Sequence, residues 1–459
     1  MIFYVYYKML VIHHTHYKNE ATRLMRLREK KMSVYIATVS DGHRDVDVAS
    51  IIQDHPKCKY VCLIGNEIEV KSVMFNTGSA WGSGDNDITA ASDLWLTFGV
   101  TNGKLNPLPD AMGATKMIGR LTTGPNSASL FEKKQNIKKQ LDKLVDYEDT
   151  YNAQVCPSWV NNIMGVASGE GTASGYQGMA DSEFMRTQLQ LLKTQGYTVK
   201  GYFDQLQRQT TDPDVADIQQ GFEQGASLFC YVGHGTETTI PTSGFDVDDA
   251  TTHDKQYPFC IFVACSVGSF DEDGICLAES LQIKKNGGSI CACGSTKLQT
   301  WTPPMHALAT MLKTIRTYIS GNSPFRTTDL TCGDIFQSGL RHIYGNGQQT
   351  QSESVDRKDA LAWTFFGDPS TPFNTPCRSR VILPKPKEPD TPEKTKEPDT
   401  PVKPKEPDTP EKPTVTLTTG LPVKSTEKGD DKISKQNKRF LCLSLLCFGV
   451  FGYTVYQSG

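Results

Sequence analysis

His234 and Cys265 are the residues whose types and surroundings could do covalent chemistry. His234 follows the apolar run Phe229-Cys230-Tyr231-Val232-Gly233 and precedes Gly235. Cys265 follows Phe259-Cys260-Ile261-Phe262-Val263-Ala264 and precedes Ser266-Val267-Gly268. A thiol beside an imidazole has what acyl transfer needs: the imidazole draws off the thiol proton and the thiolate attacks. Backbone N–H groups at such a turn can hold the developing oxyanion. The glycines let the chain turn sharply and let a substrate approach. Taken singly, one His among nine is ordinarily structural and one Cys among 13 an ordinary packed thiol. Their shared placement, each closing an apolar run beside a small-residue turn, makes them a candidate pair.

Something must carry the two to one place. They stand 31 residues apart, room for one crossover and a parallel neighbouring strand. In open α/β sheets the carboxyl ends of the strands form the binding edge. The rest of residues 1–380 reads the same way. Strand-like runs fall at 34–39, 60–65, 161–167, 227–233, 259–264 and 289–294. Helical periodicity appears at 136–147, through Ile137, Leu141, Leu144 and Val145, and at 182–195, through Met185, Leu189 and Leu192. The alternation predicts an α/β fold with a sheet sandwiched between helices. A charged helix ending before Pro157-Ser158-Trp159 suggests two tandem α/β subdomains, 1–150 and 151–380.

Composition removes several classes. Apolar residues make up 37% of the 459 and charged residues 22%, which suits a globular core. A net charge of −3 gives no basic field for nucleic acid. The cysteines lack the spacing of a disulfide framework. Cys291 and Cys293 have no second pair for zinc and read as buried strand thiols. The Gly-rich loop at 78–87 lacks the Lys-Ser or Lys-Thr of a phosphate-binding loop. The start, MIFYVYYKMLVIHH, is interrupted by Lys8 and reads as a tail entering a first strand rather than a signal peptide.

After Pro384 the pattern changes. KEPDTP recurs at 387–392, 396–401 and 405–410. Such a segment cannot bury a core and favours extended chain, so residues 381–439 are expected to be a disordered stalk. Residues 440–459 carry no charge, and twenty residues at about 1.5 Å each match a bilayer core of about 30 Å. Lys435, Lys438 and Arg439 precede them. Two anchors fit: a single-pass tail anchor with a cytoplasmic body, or a lipid-anchor signal cleaved near Gly429-Asp430-Asp431.

The stretches YVGHGTETT, VACSVGSF, GSICACGSTKLQTW and WTFFGDPSTP, in order, resemble the gingipain family of cysteine peptidases, nearest its arginine-specific members. YVCLIG, SDLW, IGRL at 118–121 and DKLVDYE at 142–148 resemble that family's N-terminal subdomain. The resemblance covers about residues 9–375 and implies a caspase–hemoglobinase-like fold. VACSVG lacks the Q-A-C-x-G surround of caspases themselves.

The resemblance implies His234 as catalytic base, Cys265 as nucleophile, and the N–H groups of Gly235 and Cys265 as the oxyanion hole. It implies that Glu170 orients His234. Asp181 would form the floor of an arginine pocket, pairing with a guanidinium, with Gln299 and Trp301 as pocket residues. Asp181 also reads as the start of a helix, Trp301 as core packing and Glu170 as a solvated loop acid. The GDPS turn reads as structural. Relatives bind calcium, and Asp246, Asp248, Asp249 or Asp271-Glu272-Asp273 could supply oxygens, with no ligands assigned; catalysis needs no cofactor. No immunoglobulin-like module follows GDPS, and no propeptide is visible. The expected function is a membrane-anchored endopeptidase acting on proteins or peptides, preferably after Arg. Two rivals stand beside it: a catalytically silent fold used as an adhesin or binding module, and a transpeptidase with the same nucleophile.

Overall fold

The strands that carry the site are apolar throughout because both faces of their sheet are covered. In Leu228–Val232, residues Leu228, Cys230 and Val232 pack into one core cluster, while Phe229 and Tyr231 pack into another. Phe259–Val263 divides the same way, with Phe259, Ile261 and Val263 on the first side and Cys260 and Phe262 on the second. A period of two splitting into two buried clusters is the signature of a strand between two helical layers.

The computed structural model describes residues 8–376, apart from 77–88, 114–115, 153–155, 172–174, 205–212, 251–255, 322–328 and 346–352. The Gly-rich loop at 78–87, the stalk at 381–439 and the apolar tail at 440–459 lie outside the described residues. No described helix is long and apolar enough to cross a membrane.

Ten strands form the main sheet. They are β1 (Lys8–His14), β2 (Ser33–Val39), β3 (Tyr60–Ile64), β4 (Met117–Leu121), β5 (Asn162–Ala167), β6 (Thr198–Phe203), β7 (Leu228–Val232), β8 (Phe259–Val263), β9 (Cys291–Ser295) and β10 (Trp363–Phe366). Their order is β6-β5-β7-β8-β9-β10-β4-β3-β1-β2. Every pairing is parallel except β9 with β10. Helices that bear on the site are α1 (Lys18–Arg28), α2 (Leu130–Asn152), α3 (Asp181–Lys193), α4 (Thr302–Ile319) and α5 (Glu353–Ala362).

The two halves read from the sequence do not own separate sheets. β10, from the far end of the second half, pairs with β9 on one side and with β4 of the first half on the other. Residues 1–384 accordingly form one unit. The turn after β10 is riveted too: Asp368 accepts from the buried Arg28 Nε at 2.5 Å, and Arg28 also pairs with Glu148 of α2. The amphipathic pattern at 136–147 belongs to α2, where Ile137, Leu141 and Leu144 are buried. Val145, read into the same stripe, is exposed, and Lys143 and Tyr147 are buried instead. Lys143 is buried because its ammonium donates to three carbonyls, those of Leu281, Gly287 and Ser289, which apolar periodicity does not register.

Candidate active site

β7 and β8 pair one to one, with Val232 opposite Val263. His234 and Cys265 each stand two residues beyond that last pair. Both also continue the phase of the same core face, since Leu228, Cys230 and Val232 lead to His234 as Phe259, Ile261 and Val263 lead to Cys265. They meet in one cleft, which Gln299, Thr300, Trp301 and Met305 help to line.

Gly235 lets the two strand ends approach. A Cβ there would lie 2.5 Å from the Cys265 carbonyl oxygen and 2.8 Å from Ala264 Cβ, closer than real contacts allow. Among the described residues, neither the Gly235 nor the Cys265 N–H donates to a backbone carbonyl. Ser266, just after the thiol, sits at φ 56°, which turns the chain back under the strand; its N–H donates to the Lys297 carbonyl at 3.0 Å. Tyr231, buried in β7, donates its hydroxyl to the His234 carbonyl at 2.7 Å, and Thr242 Oγ1 lies 2.7 Å from the Tyr231 hydroxyl oxygen.

The side chains around the pair are ordered in a chain of contacts. His234 Nε2 lies 2.8 Å from Glu170 Oε2, with both side chains about half exposed. That fixes the ring and leaves Nδ1 for another partner. No hydrogen bond joins His234 to Cys265 among the described contacts. Cys265 Sγ instead accepts the Gln299 N–H at 3.3 Å. Burial pushes the Cys265 thiol up from its usual range, the Gln299 N–H pulls it back, and the nearby Asp359 carboxyl pushes it up further. The sulfur is therefore a thiol that needs a base rather than a ready-made thiolate.

Asp181 starts α3 and is fully buried. Its Oδ2 accepts from Ser168 Oγ at 2.6 Å, and its Oδ1 from the Trp301 indole N–H at 2.8 Å. Burial raises its pKa, and those two hydrogen bonds oppose the rise. Trp301 also meets the His234 ring edge-on, with centroids 5.1 Å apart, so the indole spans from the imidazole to the acid. Gly171 makes room: at φ +86°, a Cβ there would lie 2.4 Å from Trp301 Nε1 and 2.8 Å from Asp181 Oδ1. The Gln299 side-chain amide is buried in the cleft, with neither Nε2 nor Oε1 hydrogen-bonded.

All seven residues singled out from the sequence thus fall in one neighbourhood: Glu170, Asp181, His234, Gly235, Cys265, Gln299 and Trp301. Ser168, Tyr231, Thr242 and Asp359 were not singled out. Three of these sit in or beside the motifs, but their types are common; Asp359 lies on a helix, four residues before the WTFFGDPSTP stretch and outside it. The acidic runs are engaged locally. Asp246 Oδ1 accepts the Asp248 N–H, and Asp249 Oδ2 accepts the Asp246 N–H. Glu272 pairs with Lys297, and burial pushes Asp271 up to about 6. Among the described residues, no group of three or more His, Cys, Asp or Glu could hold a metal ion.

The profile of peptidase family C25 matches residues 6–374. Gingipain R2 of Porphyromonas gingivalis (strain ATCC BAA-308 / W83) is 29% identical over 265 residues, covering 55% of this chain and 33% of the relative. Gingipain R1 of Porphyromonas gingivalis is 29% identical over 265 residues, 55% of this chain and 25% of the relative. The chain thus spans a third or less of these curated relatives. Among solved structures, the Arg-specific cysteine proteinase gingipain R superposes with a TM-score of 0.62 at 21% identity, covering 80% of this chain and 78% of that one. The complex of Porphyromonas gingivalis RgpB pro- and mature domains gives 0.60 at 22% identity, with coverages of 80% and 79%. At these identities the superpositions establish the fold, a large mixed sheet covered by helices.

Proposed function

This chain belongs to peptidase family C25, and we propose that it is a cysteine endopeptidase that cleaves peptide bonds after Arg through an acyl-enzyme. The observation that carries the reading is that His234 and Cys265 follow the ends of two paired parallel strands and line one cleft. In the forward step His234 takes the thiol proton as Sγ bonds to the substrate carbonyl carbon. The Gly235 and Cys265 N–H groups receive the negative oxygen, which suits donors without backbone acceptors. The C–N bond then breaks, and the imidazolium proton goes to the departing amine. Water, deprotonated by His234, attacks the thioester, and the carboxylic product leaves with the thiol restored. Glu170 fixes the ring on Nε2 throughout and stabilises the imidazolium.

Arginine preference rests on Asp181, a buried carboxylate with a flat indole against it. Each of its oxygens accepts one hydrogen bond, which leaves lone pairs for the two parallel N–H groups of a guanidinium. The Trp301 ring offers a face for the planar cation. The test uses a chloromethyl ketone bearing Arg. We expect covalent labelling at Cys265, faster than with the Lys or Asn analogues. Labelling of equal extent in Cys265→Ala would remove the assignment. A run with an added amine acceptor separates hydrolysis from transpeptidation: free acid as the main product supports hydrolysis, and an acceptor-linked product supports the rival.

Membrane tethering belongs to the same reading, on the strength of the uncharged residues 440–459 behind a stalk. Phase partitioning of the full chain should place it in detergent, and deletion of 440–459 should return it to the aqueous phase. A full chain that stays aqueous opposes the anchor.

A further inference from the structure

Three consecutive residues before α4 reach three different parts of the site. The Gln299 N–H lies on the Cys265 sulfur at 3.3 Å, and the Trp301 indole N–H lies on Asp181 at 2.8 Å. Thr300, between them, is tied to a helix instead. Its N–H donates to Asp359 Oδ1 at 3.1 Å, and its hydroxyl is hydrogen-bonded to Asp359 Oδ2. Asp359 is fully buried on α5, 59 positions along the chain from Thr300. The start of the same loop is tied to the end of that helix, since the Thr296 N–H donates to the Ala362 carbonyl at 2.8 Å, and the Thr296 hydroxyl lies between the Ala91 and Ala362 carbonyls, at 3.0 and 3.1 Å.

Burying a carboxyl is costly unless its hydrogen bonds are met. Here both oxygens are spent on one residue of a loop that has no strand or helix of its own. Two bonds from one rigid carboxyl to the backbone and side chain of a single residue leave that residue little rotational freedom. Its neighbours on either side are then set as well.

We propose that Asp359 is a positioning residue for this site: by clamping Thr300 it holds the Gln299 N–H on the nucleophile and the Trp301 indole on the pocket acid. The proposal deepens the peptidase reading and rests on it for the consequence on turnover. The consequence for the thiol does not depend on that reading. Burial raises the Asp359 carboxyl to about 7; in its ionised form it opposes a thiolate at Cys265, a disadvantage that the Gln299 N–H offsets.

The test compares Asp359→Ala with Asp359→Asn in the full chain. Both remove the ionisable carboxyl, but only Asn keeps an acceptor for the Thr300 N–H and a group for its hydroxyl. Two quantities are read in each: the pH midpoint for alkylation of Cys265 by iodoacetamide, followed by mass mapping, and kcat and KM on an Arg peptide. Asn should stay within about threefold of the parent in kcat/KM and alkylate at an equal or lower pH. Ala should lose about a hundredfold in kcat/KM, with kcat lowered as well as KM raised, since a displacement of about 1 Å has that size of effect. Its alkylation midpoint should lie above that of Asn. Equal behaviour of Ala and Asn in both measurements would overturn the proposal. If Ala does not fold, Thr300→Val against Thr300→Ser reads half of the same clamp: Val must fall below Ser in both readouts, and parity overturns the idea. If the parent cleaves no peptide, the peptidase reading fails, but the alkylation midpoints still decide the role of Asp359.

Discussion

Replacing Cys265 with Ala is expected to lower kcat/KM on Arg peptides by on the order of 10⁵-fold, to the background left by binding and the oxyanion donors. His234→Ala should cost nearly as much, because of the state of the sulfur. Burial raises the thiol and a single backbone N–H only partly offsets it. Without an imidazole to accept its proton, the sulfur stays protonated and weakly nucleophilic at neutral pH. The double variant should be no worse than either single one, since two residues that act as one device lose their effect together. Progress curves on a chromogenic Arg peptide, with circular dichroism to show that each variant is folded, provide the measurement. Single losses that multiply in the double variant would mean that the two side chains act independently, and the dyad would be abandoned. A Cys265→Ala protein retaining a hundredth of the parent rate would do the same.

The free chain shows no hydrogen bond between the two partners, and this bears on what the sheet contributes. The strands set only the level and the face of each residue. The last ångströms depend on the loops, where Gly235 permits backbone contact, Tyr231 holds the His234 carbonyl and Glu170 holds the ring. Catalytic hydrogen bonds often tighten only when substrate is bound. The rigid part, β7 on β8, is therefore also the part that an apolar run reveals.

That division explains what could be read from the residues alone. Apolar runs with punctuating glycines located β3, β5, β7, β8 and β9 to within two residues, because a strand buried on both faces must be apolar at every position. The pairing of β10 with both β9 and β4 left no such trace. It depends on a four-residue strand and on a long-range choice of neighbours. Consequently the two halves read as tandem units when they share one sheet. The ends of two apolar runs brought His234 and Cys265 into view, whereas Glu170, Asp181, Gln299 and Trp301 were marked only by stretches that resemble the gingipain family. Asp359 had no such stretch: its sequence neighbours, Lys358 and Ala360, are those of any amphipathic helix. A carboxyl buried in order to clamp a distant backbone N–H has no periodicity, so contacts of this kind become legible only once the chain is folded.

The second large effect concerns specificity. Asp181→Asn should lower kcat/KM for Arg peptides by about 30- to 5000-fold, equivalent to about 2–5 kcal/mol for removing one partner of a buried charge pair. Uncharged P1 residues should be affected far less. Asn keeps the size of the side chain, and its carbonyl can still accept from Trp301 or Ser168, so the cost falls on the guanidinium rather than on the pocket's shape. The parent should also show a pH effect that the variant lacks. Asp181 is held above the ordinary carboxylate range, mainly by burial. Only its ionised form pairs with a guanidinium, so below that raised pKa part of the enzyme must first lose a proton. Discrimination of Arg over norleucine should therefore weaken as pH falls through the Asp181 pKa and recover above it. An Asn side chain has nothing to titrate, and its ratio of Arg to norleucine should stay flat and low across the same range. If the parent ratio is flat as well, or the Asn variant still prefers Arg by the parent margin, then the cation is recognised elsewhere in the cleft and Asp181 serves only to anchor Ser168 and Trp301.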